Sequence, residues 1–367
     1  MGSNAQKLCS DDLIFEILTR TSLRTLDTCK CVSKNWYNLI YESDFKPTYC
    51  HRTNNLAGYF IQNRDDNISL FVEMPEKDNK NSNKIDKFPN DIKILASCNQ
   101  GLLYCINERT CRYYVCKPAT RQWQPLPNPK LGYLANAVAI MVLGSTPLRY
   151  KIICLYDNIY NPVTRAEIFD SKCWSWRRLR NIDRRWNDIT LSFYPAIRVG
   201  KSVHWLTEHP SRGVHTVLSF HEPDESFARF SLSQSSKRLV NYKGKLGVIK
   251  SLEKYPDRVM QLWVKYNDRW TLEMVVSLSR IIARNLKWPR LIDFYDTDIV
   301  FIESGSEGLF YKLEDRSVRK VFKVSLDKIR YRNVFFEFRS DWEPVDLRGG
   351  RLLSYIRRLS IKTLMCS

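Results

Sequence analysis

Between residues 59 and 318 one hairpin pattern returns six times, and few folds can absorb such a repeat. Each copy is a run of β-favouring residues, a polar turn, and a second run that opens on a bulky apolar side chain. The copies are Tyr59–Ile68, Tyr113–Trp123, Ala166–Trp176, Val217–Phe227, Leu262–Trp270 and Leu309–Val318. Their closing residues Ile68, Trp123, Trp176, Phe227, Trp270 and Val318 stand 55, 53, 51, 43 and 48 positions apart. A period of ~50 residues suits the four-stranded blade of a kelch-like β-propeller. Six blades fill the region and leave Tyr331–Phe338 to help close the ring. A β-sandwich of similar hairpins is the alternative, although a sandwich has no need of a period held over six copies.

The strands are legible one by one. Gly58–Gln62, Ile92–Cys98, Leu102–Ile106, Arg149–Leu155, Ser202–Leu206, Thr216–Phe220, Gln261–Tyr266 and Ile299–Glu303 are rich in Val, Ile, Tyr and Phe. Asn, Asp, Gly and Pro bound them, which is the chemistry of strands and turns. Pro75–Asp91 breaks the pattern: it is rich in Lys, Asn and Asp, nearly free of apolar residues, and predicts a mobile surface loop.

Residues 9–45 follow a different period. Ser10 is placed to cap a first helix, with Asp11 and Asp12 in the first turn at its positive end. Leu13, Ile14, Ile17 and Leu18 then form one apolar stripe, with Phe15 beside it. Ser22 can cap a second helix carrying Leu23 and Leu26, and Ser33 a third carrying Trp36, Leu39 and Ile40. Three short helices hide too little surface to be stable alone, so something must cover the surplus apolar face.

These residues resemble an F-box of the plant type. Ser10 to Leu18, Leu26, and Cys29-Lys-Cys-Val-Ser-Lys-Asn-Trp36-Tyr-Asn-Leu-Ile40 carry the likeness, and Cys31-Val32-Ser33-Lys34-x-Trp36 is its most specific part. Cys9-Ser10 stands where the family has Leu-Pro, and Thr21-Ser22-Leu23 where it has a Pro-containing turn. The resemblance implies docking on a Skp-type adaptor through Leu13, Ile14, Ile17, Leu18 and Leu26, and an F-box core of Cys31, Val32, Trp36, Leu39 and Ile40.

The β-region is similar to the F-box-associated domain of plant proteins. Ser97-Cys98-Asn99-Gln100-Gly101-Leu102-Leu103 follows that family's Ser-Cys-Asn-Gly-Leu-Leu with one insertion. Lys117-Pro118-Ala119-Thr120-Arg121-Gln122-Trp123 follows its Asn-Pro-x-Thr-x-x-Trp, with Lys117 in place of Asn. Val203-His204-Trp205-Leu206 and Val217-Leu218-Ser219-Phe220 continue the likeness. Together the readings describe an α+β multidomain chain: F-box at 5–50, propeller-like domain at 51–345, and a basic tail at 346–367.

The net charge of +19 lies outside the first fifty residues, which hold six basic and six acidic side chains. A basic domain attracts acidic partners or nucleic acid. Arg alternates with Trp in Trp174–Arg180 and Asp183–Trp186, as in single-strand binders, but a blade edge with inward tryptophans and solvated arginines explains the pattern more simply. Arg351–Lys362 places Leu352, Tyr355, Ile356 and Leu359 on one possible helical face, read as a terminal segment or a helix packed on its own domain.

Catalytic patterns are sparse. His204, His209, His215 and His221 are spaced five to six apart across strands and a turn, and His51 stands apart from them, so neither metal nor cofactor is expected. Gly305-Ser306-Glu307-Gly308 reads as a hairpin, and Gly244-Lys245-Leu246-Gly247 as a turn. Eleven cysteines include no Cys-x-x-Cys, and Cys29, Cys31, Cys98, Cys105 and Cys154 are read as buried thiols. No apolar run has the ~18–20 residues of a membrane span, and no secretory pattern is present, so a cytosolic or nuclear chain is expected.

The resemblance implies a non-catalytic receptor subunit of a Skp–cullin–F-box ubiquitin ligase. The adaptor would connect it to cullin and a RING subunit, and the β domain would recruit a protein for ubiquitination. The rival reading is a basic propeller that binds nucleic acid or another acidic partner without any ligase.

Overall fold

The computed structural model describes residues 11–348 except 43–44, 54, 64–66, 75–87, 99, 133, 146, 158–162, 184–189, 192–193, 209–214, 233–235, 254–257, 268, 278–288, 295–297, 305 and 324–332. Ser10, most of the 75–91 loop, Arg184–Trp186, His209, Gly305 and the 351–362 segment therefore lie outside the described residues.

Four helices precede the sheets. Helix α1 covers 11–18, α2 Leu23–Cys29, α3 Lys34–Ile40 and α4 Phe45–Thr53. Local capping decides where two of them start. Ser22 accepts from Thr25 N at 3.2 Å and Ser33 from Trp36 N at 3.1 Å, each at the expected position. The fourth helix was not anticipated. Its signal is Phe45 and Tyr49, one turn apart and both fully buried.

Six antiparallel sheets follow. Blade 1 holds β1 (Leu56–Asn63), β2 (Ser69–Glu73) and β25 (Asn333–Ser340). Blade 2 holds β3 (Ile92–Ser97), β4 (Leu103–Asn107), β5 (Arg112–Lys117) and β6 (Gln122–Pro125). In blade 3, β7 (Ala137–Ser145), β8 (Leu148–Tyr156), β9 (Val163–Asp170) and β10 (Ser175–Arg178) pair in order, and β11 (Ile182–Asp183) adds to β9. Blade 4 sets β12 (Thr190–Leu191) and β13 (Ile197–Val199) on β14 (Ser202–Glu208), then β15 (His215–His221) and β16 (Ser226–Ser231). Blade 5 runs β17 (Ser236–Tyr242), β18 (Lys245–Glu253), β19 (Arg258–Tyr266) and β20 (Arg269–Ser277). Blade 6 runs β21 (Arg290–Phe294), β22 (Ile299–Ser304), β23 (Glu307–Lys312) and β24 (Ser317–Lys323). The fold is a six-bladed propeller, and the sandwich alternative falls.

The repeat has a structural meaning. All six hairpins are the outermost strand pair of their sheet. In four of them a left-handed residue (Arg121, Trp174, Glu225, Arg316) stands two positions before the closing Trp123, Trp176, Phe227 or Val318. The same tight turn therefore precedes the same bulky side chain in each.

Ring closure joins the two ends of the β-region. β25 pairs antiparallel with β1 from Leu56↔Ser340 to Asn63↔Asn333, so the segment expected to help close the ring does so from Asn333 onward, Tyr331 and Arg332 lying outside the described residues. Gly101, at φ +76, lies in the turn between β3 and β4, where an added Cβ would overlap the Ser340 side chain. Beyond Ser340 a strap laces blades 2 and 3. Lys117, almost wholly buried, donates to Asp341 and to Glu343 O at 2.6 Å. Gln122 exchanges two hydrogen bonds with Val345 at 2.8 and 3.0 Å, and the Tyr150 hydroxyl donates to Leu347 O at 3.0 Å. Leu347 is itself buried, so the strap extends past the expected domain boundary at 345. The two family-like motifs of blade 2 are thus the seat of the closing strand and its strap.

One expectation for the 75–91 loop fails at its end. Phe88 is buried with its ring centroid 5.5 Å from both Phe60, edge-on, and Trp123, tilted, because the wedge between blades 1 and 2 needs an aromatic filler.

Candidate docking surface of the helical unit

The helices have no core of their own. Leu18, Leu23, Leu26, Leu39, Ile40, Phe45 and Tyr49 form one continuous cluster with Tyr59, Phe301, Phe310 and Phe335 of blades 1 and 6. Polar contacts fix the same junction. The Tyr37 hydroxyl donates to Lys243 O at 2.9 Å, across 206 residues of sequence. Burial pushes that phenol up to about 12. Lys243 and Gly244 are the two turn residues joining β17 to β18, both at positive φ, and a Cβ at Gly244 would overlap the hydroxyl of Tyr37. Gly247, read with that turn, lies inside β18. Arg339 lies over the Tyr49 ring, 4.6 Å from its centroid.

This seal redistributes the expected docking residues. Leu18 and Leu26 are fully buried and unavailable to an adaptor, because the propeller already covers that side of the stripe. Ile14 is partly buried against the same cluster. Leu13 and Ile17 remain, 62% and 51% exposed, one turn apart along the outer edge of the same stripe. The expected F-box core divides too. Leu39 and Ile40 are buried and Trp36 packs on the cluster, but Cys31 and Val32 are exposed, Val32 at 58%. Both sit in the short connection between α2 and α3, a solvent-exposed stretch.

Hydrogen bonds hold this surface in shape. Asn35 donates to Asp11 at 2.7 Å, tying the start of α3 to the start of α1. Arg52 donates to Glu16 at 2.6 Å and to Thr19 Oγ1 at 2.5 Å, joining α4 to α1. The Arg52 hydrogen bond holds the Glu16 carboxyl below the usual carboxylate range. Sequence reasoning missed Tyr37 and Arg52, whose partners are set only by tertiary packing.

Other candidate chemistry resolves into packing. His204 is buried, with its Nδ1 2.7 Å from Ser219 Oγ, and burial holds its pKa down to about 4. The two are cross-strand neighbours on β14 and β15, and among the described residues neither hydrogen-bonds a carboxylate. His221 pairs with Asp224 at 2.8 Å on the surface. Among the described residues no group of His, Cys, Asp or Glu is placed to hold a metal. In the Trp–Arg stretch, Trp176 is buried and donates to Pro127 O at 2.6 Å, Trp174 packs on Phe169 at 5.3 Å, and Arg177 pairs with Glu225. Trp174 and Trp176 are spent on packing rather than offered to bases, and Trp186 lies outside the described residues. Cys29, Cys98, Cys105 and Cys154 are buried as expected, whereas Cys31 is exposed. No helix among the described residues is long and apolar enough to cross a membrane.

The site is thus a six-bladed ring whose core continues into a helical unit that leaves Leu13 and Ile17 exposed. Residues 58–322 match the model of the F-box associated beta propeller domain and residues 9–48 that of the F-box domain, and the chain belongs to this family of F-box proteins with an associated propeller. "Putative F-box/kelch-repeat protein At3g17570" of Arabidopsis thaliana is 24% identical over 89% of this chain and 86% of its own length. "F-box protein At5g41720" of the same plant is 31% identical over 40% of this chain and 85% of its own. Among solved structures, TolB from Acinetobacter baumannii aligns at TM-score 0.46 and 11% identity, covering 83% of this chain and 73% of that one. The ring uses more chain than the family match, because β25, the strand that closes it, begins at Asn333.

Proposed function

We propose that this chain is the substrate receptor of a Skp–cullin–F-box ubiquitin ligase, acting in the cytosol or nucleus. The observation that carries the reading is the outward ridge of Leu13 and Ile17, left uncovered while the rest of the stripe is sealed. Side chains of this size on a soluble surface gain roughly 1.5–3 kcal/mol each when a partner covers them. The ridge and the exposed Val32 are the proposed contacts with a Skp-type adaptor, and Ile14 contributes at its margin. The adaptor would bridge to cullin and a RING subunit.

In this reading the propeller holds a protein substrate at a fixed orientation, since the helices and the ring share one core. The chain then acts by proximity, raising the effective concentration of substrate lysines near the transfer machinery. It supplies neither acid, base nor nucleophile. The decisive experiment pairs Leu13→Asp with Ile17→Asp and measures adaptor co-purification. Loss of the adaptor from a normally folded variant is expected, and retention overturns the docking role. Both positions are exposed, so the charges leave the core intact.

A further inference from the structure

A second uncovered apolar surface lies on blade 5, far in sequence from the helices. Strand pairing puts Gln261 opposite Val275 and Trp263 opposite Leu272, and paired residues point to one side of the sheet. Leu272 and Val275 are exposed at 41% and 55%, and Trp263 is half-buried beside them. Lys250, paired with Gln261, lies on the same face with its ammonium 4.2 Å from the Trp263 ring centroid. Among the described residues no carboxylate stands within ion-pair distance of it. Lys265 stands next along the strand, 5.5 Å over Phe230 of blade 4, and Phe230 packs on Trp270 at 6.3 Å. These aromatic contacts floor the wedge between the two blades. The only acidic side chain of β20, Glu273, is the extra residue of a bulge and accepts from the Tyr266 hydroxyl at 3.1 Å.

We propose that this face of blade 5 docks an acidic, apolar peptide segment of another protein. Its bulky side chains cover Leu272 and Val275, and its carboxylates approach Lys250. Charge selects this occupant over a second copy of the chain. A symmetric pair would bring lysine against lysine in a protein that already carries a net +19. The proposal goes beyond the adaptor reading and does not need it, because the ridge on α1 belongs to a different surface.

The test uses the full-length protein and two fluorescent nine-residue peptides, one alternating Glu with Leu and one alternating Lys with Leu, read by anisotropy. The acidic peptide is expected to bind at least about tenfold more tightly than the basic one. Lys250→Glu, and separately Leu272→Ser with Val275→Ser, should each weaken it by about tenfold. Val321→Ser on β24, equally exposed in blade 6, should leave it unchanged. Equal binding of both peptides, or undiminished binding to Lys250→Glu, overturns the proposal. So does a dimer, seen by sedimentation, that dissociates when Leu272 and Val275 become serine. Adaptor co-purification with each variant separates this outcome from failure of the docking ridge.

Discussion

The helices and the blades bury their apolar residues in opposite ways. Each blade packs on its neighbours, and the ring is held by strand pairing that returns on itself through β25 and β1. The helical unit has no such closure, and its buried residues are completed by those of the blades, Tyr59, Phe301, Phe310 and Phe335 among them. The difference teaches that the helices borrow their stability, while the ring owns most of its own. A unit that borrows on one side can leave its other side free for a partner.

The largest expected effect tests that dependence. Leu26→Asp puts a charge into the shared cluster and should cost more than about 4 kcal/mol. Circular dichroism should show the helical signal lost early while the sheet signal keeps a later transition of its own, and both signals falling together in one transition would break the comparison. Next, Asp341→Ala leaves the Lys117 ammonium buried without its carboxylate, at an expected cost of about 3–5 kcal/mol in urea unfolding. An unchanged midpoint would remove the strap from the ring's closure.

A third outcome concerns blade 4 alone. His204 is held neutral, its folded pKa near 4 against an ordinary 6.5. The unfolded chain therefore takes up the proton first as pH falls. The stabilisation is complete above about pH 6.5 and drains away toward about pH 4, by up to about 3 kcal/mol. His204→Asn should flatten that slope in urea titrations at pH 7 and 5, and an unaltered slope would assign it elsewhere. Smaller still, Gly244→Ala meets left-handed strain and the Tyr37 hydroxyl, for about 1–2 kcal/mol. Hydrogen exchange should rise in α3 and at the start of β18 but not in blade 3. The smallest stability change, within about 0.5 kcal/mol, belongs to Leu13→Asp with Ile17→Asp, the pair expected to abolish adaptor binding.

Much of this was readable from local pattern. The closing residues from Ile68 to Val318 marked the outer hairpins because a strand pair and its turn are local events. Ser22 and Ser33 were legible as caps for the same reason. Leu13 and Leu18 look alike on one stripe, yet one is exposed and the other sealed. Val32 belongs to the motif that carries the family likeness, and it faces solvent. Gly244 reads as a turn, but its further role depends on Tyr37, two hundred residues earlier.

Sequence alone determined the period, the strand-and-turn alternation and the helix starts, since each depends on neighbours within a few residues. Tertiary structure decided which half of an apolar stripe faces out, which lysine is buried against which aspartate, and where β25 and the strap after it return. Those choices rest on surfaces brought together from distant segments, and a residue's own neighbours in the chain carry no record of what will cover it.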